Sequence, residues 1–174
     1  AAAMTVAREW AARAEAACAL LPASAATDVL RVAPSALLAS GADIVMPMGV
    51  GRVDFEGELA IVIGSIAKNV SEADAASVVF GYTVANDVTA RDLQEKDGQW
   101  ARAKGFDTFC PLGPVIETEF EVASQGIETR VNGEVRQSGR LDEMVHSGAV
   151  AMTRGAAEAA GPAGLPLHAI DAAL

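Results

Sequence analysis

The segment Val53-Asp-Phe-Glu-Gly-Glu-Leu-Ala60 sets acids at positions 54, 56 and 58. Residues two apart share one face of a strand. Asp54, Glu56 and Glu58 are therefore expected on one side, with Val53, Phe55 and Leu59 on the other. Ionised carboxylates arrayed this way repel one another. A solvated sheet edge tolerates that repulsion, and this plain reading stands beside a functional one. The apolar run from Leu59 to Ile63 leads the strand straight into a core. Carboxylates at the mouth of a core need protons, cationic partners or a metal ion.

A second acidic signal is Asn86-Asp-Val-Thr-Ala-Arg-Asp-Leu-Gln94. Asp87 follows an apolar strand, and side chains at strand ends often meet at a site. If a helical turn starts at Asp87, Arg91 and Gln94 fall on its face. The competing reading makes Asp87 a helix N-cap and Arg91 its surface ion-pair partner. Two glutamates and an aspartate, with no cluster of His or Cys nearby, offer hard oxygen ligands. Such a set suits magnesium or manganese better than zinc.

The elements that must position these groups are read from period and turn signals. Val53 to Gly64 alternates and then becomes wholly apolar, as a strand entering a core does. Ser71, followed by Glu72 and Asp74, has the form of a helix N-cap with an acidic first turn. Val78 to Asn86 reads as a second strand, and the polar run after it as a turn or short helix. Ile127 to Val131 and Glu134 to Gln137 flank Asn132-Gly133, a dipeptide that accepts positive φ at both turn positions and predicts a tight hairpin. Strands joined by hairpins predict an α+β fold with a mainly antiparallel sheet.

Composition divides the chain into three. Residues 1–27 are alanine-rich with charges at helical spacing, 28–147 form the varied core, and 148–174 return to Ala, Gly and Pro, with little to bury. The chain has 174 residues, 51% of them hydrophobic, with 13 basic and 23 acidic residues for a net charge of −10. That size suits one domain with a real core. The negative balance disfavours nucleic acid and anionic membranes as partners, and no apolar run is long enough to span a bilayer. Cys18 and Cys110 are too few for a disulfide framework and read as small buried residues in a reducing compartment. A cytoplasmic setting is the expectation, since charges at Arg8, Glu9, Arg13 and Glu15 break any secretory apolar stretch.

Five segments together carry a resemblance to a known family. They are Pro34-Ser-Ala-Leu37, Asp54 to Gly64, Gly81-Tyr-Thr-Val-Ala-Asn-Asp-Val-Thr-Ala-Arg-Asp-Leu-Gln94, Lys104-Gly-Phe-Asp-Thr-Phe-Cys-Pro-Leu-Gly-Pro114 and Val131-Asn-Gly-Glu-Val-Arg-Gln137. In this order they resemble the fumarylacetoacetate hydrolase family. The resemblance implies a β-rich roll of mixed sheets and a homodimer. It also implies Glu56, Glu58 and Asp87 as ligands of Mg2+ or Mn2+, with Arg91, Gln94 and Lys104 around the substrate. The implied substrates are small 2-oxo or β-diketo acids, which undergo C–C hydrolysis, decarboxylation or isomerisation. A 2-oxo acid can chelate a metal through carboxylate and ketone oxygens, and the metal then stabilises the enolate. Arg91 suits bidentate carboxylate recognition and Lys104 a point charge on the enolate oxygen. Without the resemblance, Lys104 and Arg102 would both read as solvated loop residues.

The chain also departs from that family. Hydrolytic members carry a His-x-x-Glu pair near the N-terminus, and the matching region, Trp10-Ala-Ala-Arg-Ala-Glu15, has Arg13 where histidine is expected. His146 reads as a packing or surface residue, and His168 receives no role. After Ser147 the family's Gly-Thr-Pro loop has only a faint echo in Gly161-Pro-Ala-Gly164; either this region folds differently or the chain lacks part of a family member. General-base activation of water is thus unaccounted for, and decarboxylation or keto–enol isomerisation suits the remaining residues better. A non-catalytic, metal-binding family member is the alternative reading.

Overall fold

The computed structural model describes residues 33–65, 67 and 70–143, and the backbone of 167–169. Its centre is β3, Gly57–Ile63, in which all seven residues are buried. A strand covered on both faces reads as a continuous apolar run, and Leu59 to Ile63 supplies it. β4, Val79–Asn86, runs antiparallel to β3 from Gly57↔Asn86 to Ile63↔Val79, with a register shift after Val62. On the other side of β3 lies β9, Leu167–Ala169, paired with Ala60 to Val62. β1, Leu37–Ala39, runs parallel to β6, Cys110–Leu112, and β6 meets β4 through Ala85↔Leu112. The main sheet therefore has the order β1-β6-β4-β3-β9. It is a mixed sheet with few helices, the α+β, β-rich class expected from the sequence.

The acidic strand is less regular than its alternation predicts. Its first part is a separate strand, β2, Val53–Asp54, which pairs with β5, Thr89–Ala90, in another ladder. Phe55 and Glu56 form the passage from that ladder to the main sheet. Asp54, Glu56 and Glu58 consequently do not share one continuous strand face. At the crossing, the Glu56 N–H donates to the Asn86 side-chain oxygen at 3.0 Å instead of to a backbone carbonyl.

The Asn132-Gly133 hairpin forms as expected. β7, Gly126–Val131, and β8, Glu134–Arg140, flank a turn with φ of 53° at Asn132 and 83° at Gly133. Positive φ at both positions matches the right-handed twist of the two strands. The helix expected after Ser71 is instead a turn followed by the short 3-10 segment Ala75–Val78. The Ser71 hydroxyl does donate to the Asp74 carboxylate and accepts from the Asp74 N–H. The β-branched residues Val78 and Val79 then carry the chain into β4. Two short helices follow β5. They are α1, Arg91–Asp97, which ends at Gly98 with φ 63°, and α2, Ala101–Lys104.

Two apolar clusters grip the scaffold. Leu59, Ile127 and Leu141, with Tyr82, Phe120 and Val122 against them, pin the β7–β8 hairpin to the main sheet. Val88, Ala90 and Phe109, with Val50, Val53, Leu93 and Phe106, bind the small ladder to the helices and to the start of β6. The acidic segment crosses between the clusters. The stretches 1–32 and 144–166, which hold Arg13, Cys18 and His146, lie outside the described residues, as does the His168 side chain. Among the described residues, no helix is long and apolar enough to cross a membrane.

Phe109 is fully buried and its ring meets Phe106 edge-on at 5.2 Å. Phe109→Ala should lower the unfolding free energy by about 3–5 kcal/mol, measured as a shift of the urea midpoint at unchanged slope.

Candidate metal centre

Three carboxylates converge where β3 begins and β4 ends. Glu56, Glu58 and Asp87 each offer an oxygen, and the three atoms lie within 4.8 Å of one another. The backbone brings them together before the side chains do. Asp87 N–H donates to the Glu56 carbonyl at 2.9 Å, and the Asn86 side chain holds the Glu56 N–H. Glu58 is only 2% exposed.

Two cations enter this cluster from the helices. Lys104 closes α2 and is as buried as Glu58. Its Nζ donates to Glu56 Oε2 at 2.7 Å and to Asp87 Oδ2, with the Trp100 ring 5.8 Å away. Burial alone would lower the Lys104 pKa, but the hydrogen bonds to Asp87 and Glu56 outweigh it and raise the value above the ordinary one. Lys104 is thus a charged, desolvated ammonium and not a solvated loop residue. Arg91, the first residue of α1, donates from Nε to Asp54 Oδ2 at 2.9 Å and from Nη1 to Gln94 Oε1 at 2.8 Å. It also forms an ion pair with Glu56. Arg102 keeps the surface role, paired with Asp97.

The expected relation between Asp87 and Arg91 is corrected. The helix starts at Arg91, after the strand residues Thr89 and Ala90, so Asp87 is neither its N-cap nor on its face. Asp87 turns to Lys104, and Arg91 to Asp54 and Glu56. Of the six residues singled out in the sequence, five meet at one place, while Gln94 reaches it by bracing Arg91. Asn86, which had no assigned part, Asp54, expected beside Glu56 and Glu58, and Cys110, read as a small buried residue, complete the surroundings. The Asn-Asp pair directly after an apolar strand was the available signal for Asn86. Cys110 is partly covered, and burial, with the negative charges of Asp87 and Glu58, pushes its thiol up to about 12.

The donor set fits a hard divalent ion. Counted formally, Asp54, Glu56, Glu58 and Asp87 carry four negative charges, and Arg91 and Lys104 return two. Arg52 also pairs with Asp54, but its side chain is 75% exposed and screened by solvent. The excess of negative charge, one with Arg52 counted and two without it, and the all-oxygen ligands suit a hard divalent ion.

Comparison with known proteins points to one family. The family model described as Fumarylacetoacetate (FAA) hydrolase C-terminal matches residues 4–164. An uncharacterized protein of Methanocaldococcus jannaschii is 50% identical over 111 residues, which cover 64% of this chain and 47% of that protein. The oxaloacetate tautomerase YisK of Bacillus subtilis is 48% identical over 99 residues, 55% of this chain and 33% of its own length. Among solved structures, the 2-hydroxyhepta-2,4-diene-1,7-dioate isomerase of Mycobacterium marinum superposes with a TM-score of 0.71 at 45% identity. That match covers 72% of this chain and 50% of the isomerase. The chain spans half or less of the length of these relatives.

The hydrogen bonds from Arg52 and Arg91 hold the Asp54 carboxyl below its ordinary value. Its contribution to stability is present above the unfolded carboxylate value of about 3.9. It is lost as pH falls through the depressed folded value. The stability gap between the native protein and Asp54→Asn should therefore be full near neutrality and close as pH falls below the ordinary carboxylate range, followed by urea unfolding across pH. A gap that does not change with pH would mean that the arginines do not favour the ionised form.

Proposed function

The chain belongs to the fumarylacetoacetate hydrolase family, and from that premise we propose that it is a Mg2+- or Mn2+-dependent enzyme acting on a small 2-oxo or β-diketo acid. Of the family's reactions, isomerisation through an enolate has the best support. The observation that carries this reading is the charge-deficient trio Glu56, Glu58 and Asp87 with the buried Lys104 ammonium beside it. A similar tautomerase and a similar isomerase, named as such, point to the same class of proton shift.

Glu56, Glu58 and Asp87 would hold the ion, which when bound supplies Lewis-acid polarisation of a chelating 2-oxo acid. The chain's own groups do the rest. Lys104 Nζ presents a fixed positive charge and transferable protons where an oxygen gains negative charge. Because it is desolvated, that charge acts more strongly than it would in water. Arg91, its guanidinium braced by Asp54 and Gln94, is the group suited to the substrate carboxylate. The Trp100 ring shields one side of the ammonium. Homodimeric assembly and a cytoplasmic setting belong to the same proposal and rest on the family resemblance and the composition.

The test is a titration of the metal-free protein with Mn2+, with and without oxalate as a planar enolate mimic, alongside the ultraviolet decay of enol-oxaloacetate. Oxalate should tighten Mn2+ binding. Glu56→Gln and Asp87→Asn should each weaken it by on the order of tenfold or more, because each removes a charged ligand. Lys104→Met should keep the ion and lower turnover by roughly 100-fold. Absence of Mn2+ binding at millimolar concentration would sink the proposal, and an unchanged rate in Lys104→Met would remove that residue from the chemistry.

A further inference from the structure

One side chain of the β7–β8 hairpin reaches the peptide between the two glutamates. The Gly57 N–H donates to Gln137 Oε1 at 2.8 Å, and Gln137 Nε2 donates to the Gly57 carbonyl at 2.8 Å. A single carboxamide thereby does for Gly57 what a neighbouring strand does, offering one acceptor and one donor to one residue. The position needs it. On its other side Gly57 faces Asn86 of β4, whereas the described part of β9 pairs only with Ala60 to Val62. Thr129, opposite Gln137 in the hairpin, donates its hydroxyl to Gln137 Oε1 at 3.2 Å and fixes which way the amide points.

Gly57 is what allows the hairpin to come this close. A Cβ there would stand 2.2 Å from Thr129 Oγ1 and 3.1 Å from Gln137 Oε1. Glycine, however, has the most backbone freedom of any residue, and it separates two like-charged side chains that repel. Glu56 is already tied on its own flank by Asn86 and Asp87. Glu58 is paired opposite Ala85, so peptide 57 is the link whose conformation sets how the two glutamates stand relative to each other. We propose that Gln137, oriented by Thr129, is a positioning residue that locks Gly57 and so sets the spacing of the Glu56 and Glu58 carboxylates. This rests on the metal-site reading and extends it to a residue 80 positions away in sequence.

Four variants test the proposal, namely Gln137→Met, Thr129→Val, Thr129→Ser and Arg136→Ala. Arg136 lies on the same strand but pairs outward with Glu134. Mn2+ affinity is measured by calorimetry at a temperature where circular dichroism shows each variant folded. Hydrogen exchange of the Gly57 amide is followed in the metal-free protein. Gln137→Met should weaken Mn2+ binding by about tenfold or more and speed Gly57 exchange. Thr129→Val should show a smaller loss, while Thr129→Ser and Arg136→Ala should match the native protein. If Gln137→Met lowers the unfolding midpoint yet binds Mn2+ within about threefold of native, less than such supporting contacts usually carry, Gln137 is only a tether for the hairpin. That result overturns this inference alone. Failure of the native protein to bind Mn2+ overturns the metal reading, and this inference with it.

Discussion

Carboxylates gathered within reach of one ion repel one another, and the repulsion grows as water is removed from around them. Glu56, Glu58 and Asp87 are gathered in this way, with Glu58 almost wholly buried. Much of the surrounding structure answers that constraint. Asn86 and the Asp87 N–H tie the backbone of Glu56, and a buried lysine and a braced arginine supply part of the missing positive charge. Removing a cation from such a buried set leaves carboxylates uncompensated, at a cost of several kcal/mol.

The scaffold resists the repulsion because Glu58 is carried on a strand that is covered on both faces. β3 is buried along its full length and paired with β4 over all seven residues. One apolar cluster seats the hairpin against it through Leu59, and the other seats the helices and the small ladder beside the site. Burial at these contacts offsets the electrostatic cost, since a fully buried large apolar side chain contributes roughly 1.5–3 kcal/mol. The site therefore stands at the junction of two packed units rather than on a mobile loop, which favours a fixed ligand geometry.

Lys104 has a double position in this arrangement. Its ammonium binds the carboxylates of Glu56 and Asp87, two of the three that would hold a divalent ion. A lysine head is a compact point charge on a flexible stem, so it can remain beside the cluster while sharing those carboxylates with another cation. Arg91 is less free, because three different side chains hold its guanidinium. That rigidity suits recognition of a planar carboxylate, and the contrast separates the parts proposed for the two cations.

Local pattern in the sequence was enough for the pieces whose cause is local. The apolar run of β3 follows from burial on both faces, the Asn132-Gly133 turn from tolerance of positive φ, and the hard character of the ligand set from residue type alone. The Glu-x-Glu spacing and the aspartate after β4 were legible for the same reason. Other features depend on which elements lie side by side, and that is decided by topology. Alternation placed Asp54 on the face of Glu56 and Glu58, but β2 pairs with β5 and leaves the main sheet before Glu56. Helical spacing joined Asp87 to Arg91, but two strand residues intervene and send each to another partner. Nothing near Lys104 announced its burial, because the groups that neutralise it lie 17 and 48 residues away. Gln137 is farther still from the glycine it holds. A one-dimensional period reports which face a residue occupies, whereas the partner across that face exists only once the chain has closed its long-range pairs.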